Sequence, residues 1–518
     1  MRVWIALIII ASMQAASAPP PPQFADLNRS AKLATAFADI DRLFTEYTKT
    51  AHVPGAAWGI VIDGQLAHSG VAGVRDVATK APVDADTVFR IASMTKSFTA
   101  MAILKLRDEG KLSLDDPAER HVPELKSLRY PTTDSPRITI RHLLTHSEGF
   151  PEDNPWGDQQ LAESEAEFSR MMRGGIPFSN APGIAYEYSN YGFAILGRIV
   201  SRVSGQPYDQ YISQAILQPL GMASTTLHPS KVAANRLAVG YRWEDERWKE
   251  EPALPHGSFG AMGGMLTSIR DLSRYVAALL DAWPPRDGAE TGPSRRASLR
   301  EMQQPWRPSG TRVVLDKASS APRLTSSSYG FGLSVAQTCD FGAIVAHSGG
   351  LPGYGSVMRW LPDYGVGIIA FGNRTYTGWG QVVGEAFDLL AKTGGLQPRT
   401  VRPSTALVEA RDAVSKLVAS WDDALADKIA AENLFMDRSK DRRRKEFEDL
   451  RATVGSCSPP TSFDVVENAL RGQWTMGCER GKLQVAITLA PTMPPTVQYL
   501  SVRPAPAEPQ RMQTCSAF

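Results

Sequence analysis

Apolar positions along the chain change their period several times, and each change marks an element. Residues 29–50, "RSAKLATAFADIDRLFTEYTKT", place apolar side chains at the spacing of a helix with one buried face. The run "AAWGIVIDGQLAHSGVAGV" (56–74) then splits into two β-rich segments around Asp63-Gly64, a dipeptide suited to a tight hairpin turn. A helix opens near Ser93, stays apolar on most faces through "FTAMAILKL" (98–106) and stops at Gly110. A helix apolar nearly all round is expected to be buried at the centre of a domain. From about 110 to 300 the pattern is helices and loops. "SSYGFGLSVAQT" (327–338), "GAIVAHSGG" (342–350) and "GSVMRWLPDYGVGIIAFGN" (355–373) then predict three or four adjacent strands, with a turn at Pro362-Asp363-Tyr364-Gly365. "WGQVVGEAFDLLAK" (379–392) closes as a helix. Strands at both ends with helices between them predict an α/β (α+β) core sheet that carries a helical subdomain.

Punctuation divides the chain further. "GGLQPRTVRPST" (394–405) is the clearest linker, and residues 40–393 before it are expected to form the main domain. Beyond it, helical patterns run to about Leu450, followed by the strand-like "GQWTMGC", "KLQVAITLA" and "TVQYLSVRP". Residues 406–518 thus predict a small α+β domain. Its charged stretch "DRSKDRRRKEFEDL" (437–450) is expected to be a solvated helix face. At the other end, Arg2, the apolar run Val3–Ala11 and the small residues of "MQAASA" have the layout of a secretory signal peptide over residues 1–18. A proline-rich spacer over 19–39 follows. An exported protein, periplasmic or secreted, is expected, with no stable membrane span once the signal is removed.

Composition narrows the partners. The 518 residues carry 56 Lys and Arg against 54 Asp and Glu, a net charge of +2 that gives no support to a nucleic-acid partner. The four cysteines, Cys339, Cys457, Cys478 and Cys515, fit no metal motif, so neither metal nor cofactor is expected. A Cys457–Cys478 disulfide is one of the available pairings.

Three short constellations carry chemistry. Ser93 and Lys96, three apart on a helix, share a face. A serine needs a base to act as a nucleophile, and an apolar helix interior turns lysine into one by penalising its ammonium. Tyr188 and Asn190 lie in a Gly/Pro-punctuated loop before a helical run. A phenolate beside a cationic lysine is stabilised, which suits Tyr188 to shuttle the serine proton, and Asn190 can hold Lys96 or a substrate amide. His347, followed by Ser348, Gly349 and Gly350, ends a strand, and the glycines admit a substrate backbone. The N–H groups of Ser93 and Gly350 can then form an oxyanion hole. The tripeptide also occurs at His68-Ser69-Gly70, inside the first hairpin. A nucleophile elbow at Ser348 is excluded, because "GGLPGYG" follows where that motif needs a helix.

In this order, S-x-x-K, Y-x-N and H-x-G, the chain resembles the class C β-lactamase-related serine hydrolases of the serine β-lactamase and penicillin-binding superfamily. "RHLLTHSEGFPE", "QPLGMASTTL" and "GGMLTSIRDLSRYVAALL" add to the resemblance, which covers roughly residues 40 to 390. It implies an antiparallel sheet flanked by helices, with the site between sheet and helical subdomain. Ser93 would be acylated, Lys96 and Tyr188 would share acid and base work, and Asn190 would position substrate and Lys96. His347 stands where many relatives carry lysine, and a mostly neutral histidine offers less to a substrate carboxylate. An ester, amide or D-amino-acid peptide substrate is therefore expected ahead of β-lactamase or D-Ala-D-Ala carboxypeptidase activity. A non-catalytic binder of cell-wall peptide is the alternative of another class. His146 is expected to be structural or pocket-lining, and the C-terminal domain is loosely similar to cystatin or NTF2 folds.

Overall fold

The computed structural model describes residues 20–154, 156–315 and 322–505, so the expected signal peptide lies outside the described residues. Among the described residues two compact units emerge, one of residues 26–398 and one of residues 399–505 together with 20–25.

The larger unit opens with α1 (Arg29–Ala34), α2 (Phe37–Thr50), β1 (Gly55–Ile62), β2 (Gln65–Asp76), β3 (Ala81–Pro82) and β4 (Phe89–Arg90). Helices follow: α3 (Thr95–Asp108), α4 (Ala118–His121), α5 (Ile140–Leu144), α6 (Glu165–Gly174), α7 (Asn190–Ser204) and α8 (Tyr208–Ile212). The hairpin β5 (Tyr241–Glu244) and β6 (Arg247–Glu250) leads to α9 (Gly260–Gly263), β7 (Leu266–Thr267), α10 (Ile269–Asp281) and α11 (Arg296–Met302). Then come β8 (Arg307–Leu315), β9 (Pro322–Tyr329), β10 (Ser334–Thr338), β11 (Ile344–Leu351), β12 (Tyr354–Leu361), β13 (Val366–Gly372) and α12 (Gly380–Lys392).

Nine strands pair antiparallel in the order β3-β2-β1-β13-β12-β11-β10-β9-β8. The two ends of the unit meet at its centre, where Trp58 of β1 faces Ala370 of β13. Every residue of β1 and of β13 is buried, because helices cover both faces. The strand period of two sorts their side chains: Ala57, Val61, Ile369 and Phe371 join one core, while Trp58, Ile60, Ile368 and Ala370 join the other. The second core packs Ile40 and Phe44 of α2 with Val383 and Phe387 of α12. The first contains α3, buried continuously from Thr95 to Leu104 as its all-round apolar pattern predicts. Gly110, at φ 74°, ends that helix as expected.

Several strands escaped the sequence reading, among them the short β3 to β7 and the longer pair β8 and β9. β8 and β9 are an edge hairpin of polar residues, "RPSGTRVVL" and "PRLTSSSY", which lack the apolar alternation of a half-buried strand. The smaller unit comprises α13 (Thr405–Ala419), α14 (Asp423–Ile429) and α15 (Lys440–Val454), then β14 (Val465–Asn468), β15 (Arg471–Cys478), β16 (Gly481–Leu489) and β17 (Val497–Pro504). Its strands form one antiparallel meander, and Cys457 and Cys478 are joined by a disulfide. On α15 Arg443 is buried with Phe447 and Val454, and the other charged residues form a solvated face.

Candidate active site

Ser93 lies not on a helix but on a 3-10 turn, Ala92–Met94, with α3 starting at Thr95. The difference is enforced by Ala92, whose φ of 49° is left-handed, a conformation that costs an L-residue about 1–2 kcal/mol. Neighbours over-determine it. Thr95 Oγ1 donates to Ala92 O at 2.7 Å, and Ile91 O accepts from Ser356 Oγ on β12 at 2.8 Å. The turn thereby presents Ser93, which is 8% exposed, beside β11 and β12.

Lys96, one residue into α3, is wholly buried. Its Nζ lies 2.9 Å from Ser93 Oγ, 2.7 Å from Asn190 Oδ1 and 2.8 Å from Met262 O on α9. Burial lowers its pKa from 10.5 to about 7, against the opposing pull of the Asp158 and Asp153 carboxylates. The partners dictate how a neutral amine would sit. Asn190 Oδ1 and Met262 O can only accept, so they take its two N–H groups, and the lone pair is left facing the Ser93 hydroxyl.

Asn190 begins α7, and two partners orient its amide. Nδ2 donates to Asn154 Oδ1 at 2.6 Å, which turns Oδ1 toward Lys96. Asp153 caps the same helix, accepting from the backbone N–H of Asn190 at 2.7 Å and of Tyr191 at 2.8 Å. Tyr188 packs over the lysine, its ring centroid 4.8 Å from Nζ, and it lines the same cavity as Ser93. The expected phenolate is not favoured there. Dehydration of the ring pushes the Tyr188 pKa well above 10, and nearby Tyr186, Asp158 and Asp153 push the same way. Tyr188 is therefore a protonated donor, with the titration near neutrality left to Lys96.

His347, on β11, is buried and neutral. Desolvation first, then Lys96, lowers its pKa to about 3. Its Nδ1 lies 2.6 Å from the acceptor Ser348 O, so Nδ1 carries the proton and Nε2 accepts from Tyr329 Oη at 2.9 Å. Gly349 lets β11 run against the nucleophile turn, since a Cβ there would sit 2.1 Å from Ile91 O. Gly349→Ala is accordingly expected to push that turn aside and cut turnover about 100-fold. Wild-type turnover in that variant, with an unchanged melting temperature, would show the approach to be dispensable. Gly350 faces Tyr376 in the same manner, with 2.6 Å between an added Cβ and the ring.

Ser93, Tyr188, His347 and Gly350 line one cavity of about 520 Å³, and Lys96, bonded to Ser93 and to Asn190, lies behind that lining. Among the further lining residues that sequence reasoning missed are Glu152, Asp158, Tyr329 and Tyr376. Asp158 accepts from Tyr376 Oη at 2.9 Å. No short motif ties these residues to Ser93, because they come from loops and strands far apart in the chain. His146 is buried as well and pocket-adjacent. Its Nδ1 accepts from Ser189 N at 3.1 Å, and its ring packs tilted against that of Tyr188 with centroids 4.3 Å apart, so it braces the Tyr188–Asn190 loop.

Residues 40–392 match the family described as Beta-lactamase. The chain is 28% identical over 340 residues to Protein flp of Staphylococcus aureus (strain COL), covering 64% of this chain and 62% of that protein. It is 26% identical over 319 residues to Penicillin-binding protein 4* of Bacillus subtilis (strain 168), covering 58% of this chain and 64% of that protein. The match thus spans somewhat under two thirds of either relative. The octameric penicillin-binding protein homologue from Pyrococcus abyssi shares the fold, with a TM-score of 0.57 and 22% identity over 88% of this chain and 96% of that one.

Proposed function

The chain belongs to the β-lactamase family, and from that premise we propose that it is a serine hydrolase that cleaves an ester, or an amide or D-amino-acid peptide bond, through an acyl-enzyme on Ser93. The observation that carries the proposal is the buried amine of Lys96, 2.9 Å from Ser93 Oγ, with its other two bonding directions taken by acceptors. A binding module needs neither an activated hydroxyl nor a base.

In this reading Ser93 Oγ attacks the substrate carbonyl carbon while its proton passes to neutral Lys96. The carbonyl oxygen becomes an oxyanion held by the N–H groups of Ser93 and Gly350. Collapse of the intermediate breaks the bond to the leaving group. Its proton arrives from the Lys96 ammonium through the Tyr188 hydroxyl, which gives one proton and receives another. Water then attacks the acyl-enzyme by the same steps in reverse, releasing the acid and restoring Ser93. Asn190 keeps Lys96 in line, and His347, through Tyr329, shapes the far wall of the cavity.

Charge selects the substrate. Among the described lining residues there is no Lys or Arg, whereas Glu152 and Asp158 are present and His347 is neutral. A carboxylate next to the scissile bond therefore meets no counter-charge, which favours neutral or cationic substrates over β-lactams and C-terminal peptides. We expect p-nitrophenyl butyrate to be turned over at least about 100-fold faster than nitrocefin, the difference made by one unpaired charge at the site. Faster nitrocefin turnover would reverse the assignment. Export is part of the proposal. It is supported by the leader-like pattern of residues 1–18 and by the Cys457–Cys478 disulfide, which suits an oxidising compartment. No described helix is long and apolar enough to cross a membrane.

A further inference from the structure

On the larger unit, away from the catalytic cavity, three segments bring metal-ligating side chains together. Asp209 lies on α8, His228 just before the turn Pro229–Lys231, and His256 in the loop between β6 and α9. One donor atom from each lies within 4.8 Å of the others. His228 Nε2 is 2.8 Å from Asp209 Oδ2, and the two imidazole rings meet edge to face with centroids 5.0 Å apart. His256 Nδ1 is buried without a hydrogen-bond partner, an unsatisfied polar atom that calls for a ligand. We propose that Asp209, His228 and His256 form a Zn²⁺ site, with solvent as the fourth ligand.

The chemistry fits zinc better than a hard cation. Two imidazoles and one carboxylate are a common set for Zn²⁺, whereas Ca²⁺ and Mg²⁺ call for oxygen ligands. Donor atoms around a tetrahedral Zn²⁺ stand roughly 3.3 Å apart, so side-chain movements under about 2 Å close the site. An ion has a way in: His228 and Asp209 keep 32% and 21% of their side-chain surface, and both line a cleft of about 350 Å³. The spacing 209, 228, 256 matches no short zinc motif, which is why the sequence did not reveal it.

The site also has a route to the chemistry. His256 packs against Gly260, the first residue of α9, where an added Cβ would lie 2.2 Å from its Nδ1. Two residues on, Met262 O accepts from Lys96 Nζ, and Ala261 O accepts from Thr99 Oγ1 at 2.7 Å. Zinc would pin the loop before α9 to α8 and so steady the carbonyl that orients the lysine.

The test is Zn²⁺ titration of the purified full chain, stripped of metal, followed by calorimetry and elemental analysis. One Zn²⁺ per chain is expected, with a raised melting temperature. His228→Ala and His256→Ala are each expected to weaken binding more than about 100-fold, beyond the 10- to 100-fold that outer partners carry. His68→Ala breaks another 2.8 Å His–Asp contact, with Asp41, and is expected to leave zinc binding unchanged. Visible absorption of the Co²⁺-loaded wild type reads the ligand set independently of whether any variant folds. A tetrahedral cobalt spectrum supports the site. Failure of the folded wild type to bind one ion, or full affinity in the folded His256→Ala protein, overturns it. Ser93→Ala is expected to bind zinc like the wild type, which separates this inference from the hydrolase assignment.

Discussion

Ser93→Ala is expected to lower turnover of p-nitrophenyl butyrate by about ten-thousand-fold or more, with little change in melting temperature. The size follows from removing the only atom that forms the covalent bond, since residues acting with a nucleophile rescue almost none of its loss. The small effect on stability follows from the turn itself. Its strained Ala92 is held by Thr95, and its Ile91 by Ser356, none of them through the Ser93 hydroxyl. Lys96 keeps two acceptors in the variant, Asn190 Oδ1 and Met262 O. Steady-state kinetics beside thermal melts of both proteins check this. More than one per cent residual activity would place the nucleophile elsewhere.

The second large effect belongs to Lys96. Its ammonium gives up a proton as pH rises through about 7, so acylation is expected to climb from pH 6 to 8 and then level. Below that range the charged amine cannot accept the serine proton. Lys96→Arg, charged at every accessible pH, is expected to lose about a thousand-fold in rate and the rising limb with it. Since the site is fully buried, Lys96→Gln serves as a neutral companion that does not ask the fold to hold a larger cation. It too lacks a base and is expected to show a flat profile. His347 is already neutral above about pH 3 and contributes no limb near neutrality, so His347→Gln is expected to keep the wild-type profile shape. Rate profiles of the three variants, each confirmed folded by circular dichroism, decide the matter. A rising limb that survives in Lys96→Gln would assign the titration to another group.

How much of this was legible in the sequence depends on distance along the chain. Ser93 and Lys96 are three residues apart, Tyr188 and Asn190 two, and His347 adjoins Gly349 and Gly350 on one strand, so local spacing suffices for each group. The central strands were equally plain, because burial on both faces makes β1 and β13 apolar throughout. The helix opens near Ser93 as its spacing indicates, but no pattern of residue types marks the left-handed Ala92 that sets the 3-10 turn before α3. The role of Tyr188 as a proton shuttle by phenolate rested on its nearness to a cation, and the structure replaces that with a dry ring beside an amine poised to be neutral. Asp153, Asp158 and Tyr329 reach the site only through tertiary folding: Asp153 lies 37 positions from Asn190 and Tyr329 lies 18 from His347, while Asp158 bonds Tyr376, 218 positions away. The edge hairpin β8–β9 stayed hidden because edge strands keep polar residues to discourage pairing with other chains.

The central claim is that Ser93 is made nucleophilic by an uncharged Lys96. Its most direct test is the rate of covalent labelling by a fluorophosphonate between pH 5 and 9, followed by intact mass and peptide mapping. The expected result is one adduct, on Ser93, formed about tenfold faster per pH unit below roughly pH 7 and at a constant rate above it. A label on another residue, or a rate on Ser93 that does not change with pH, would contradict the account.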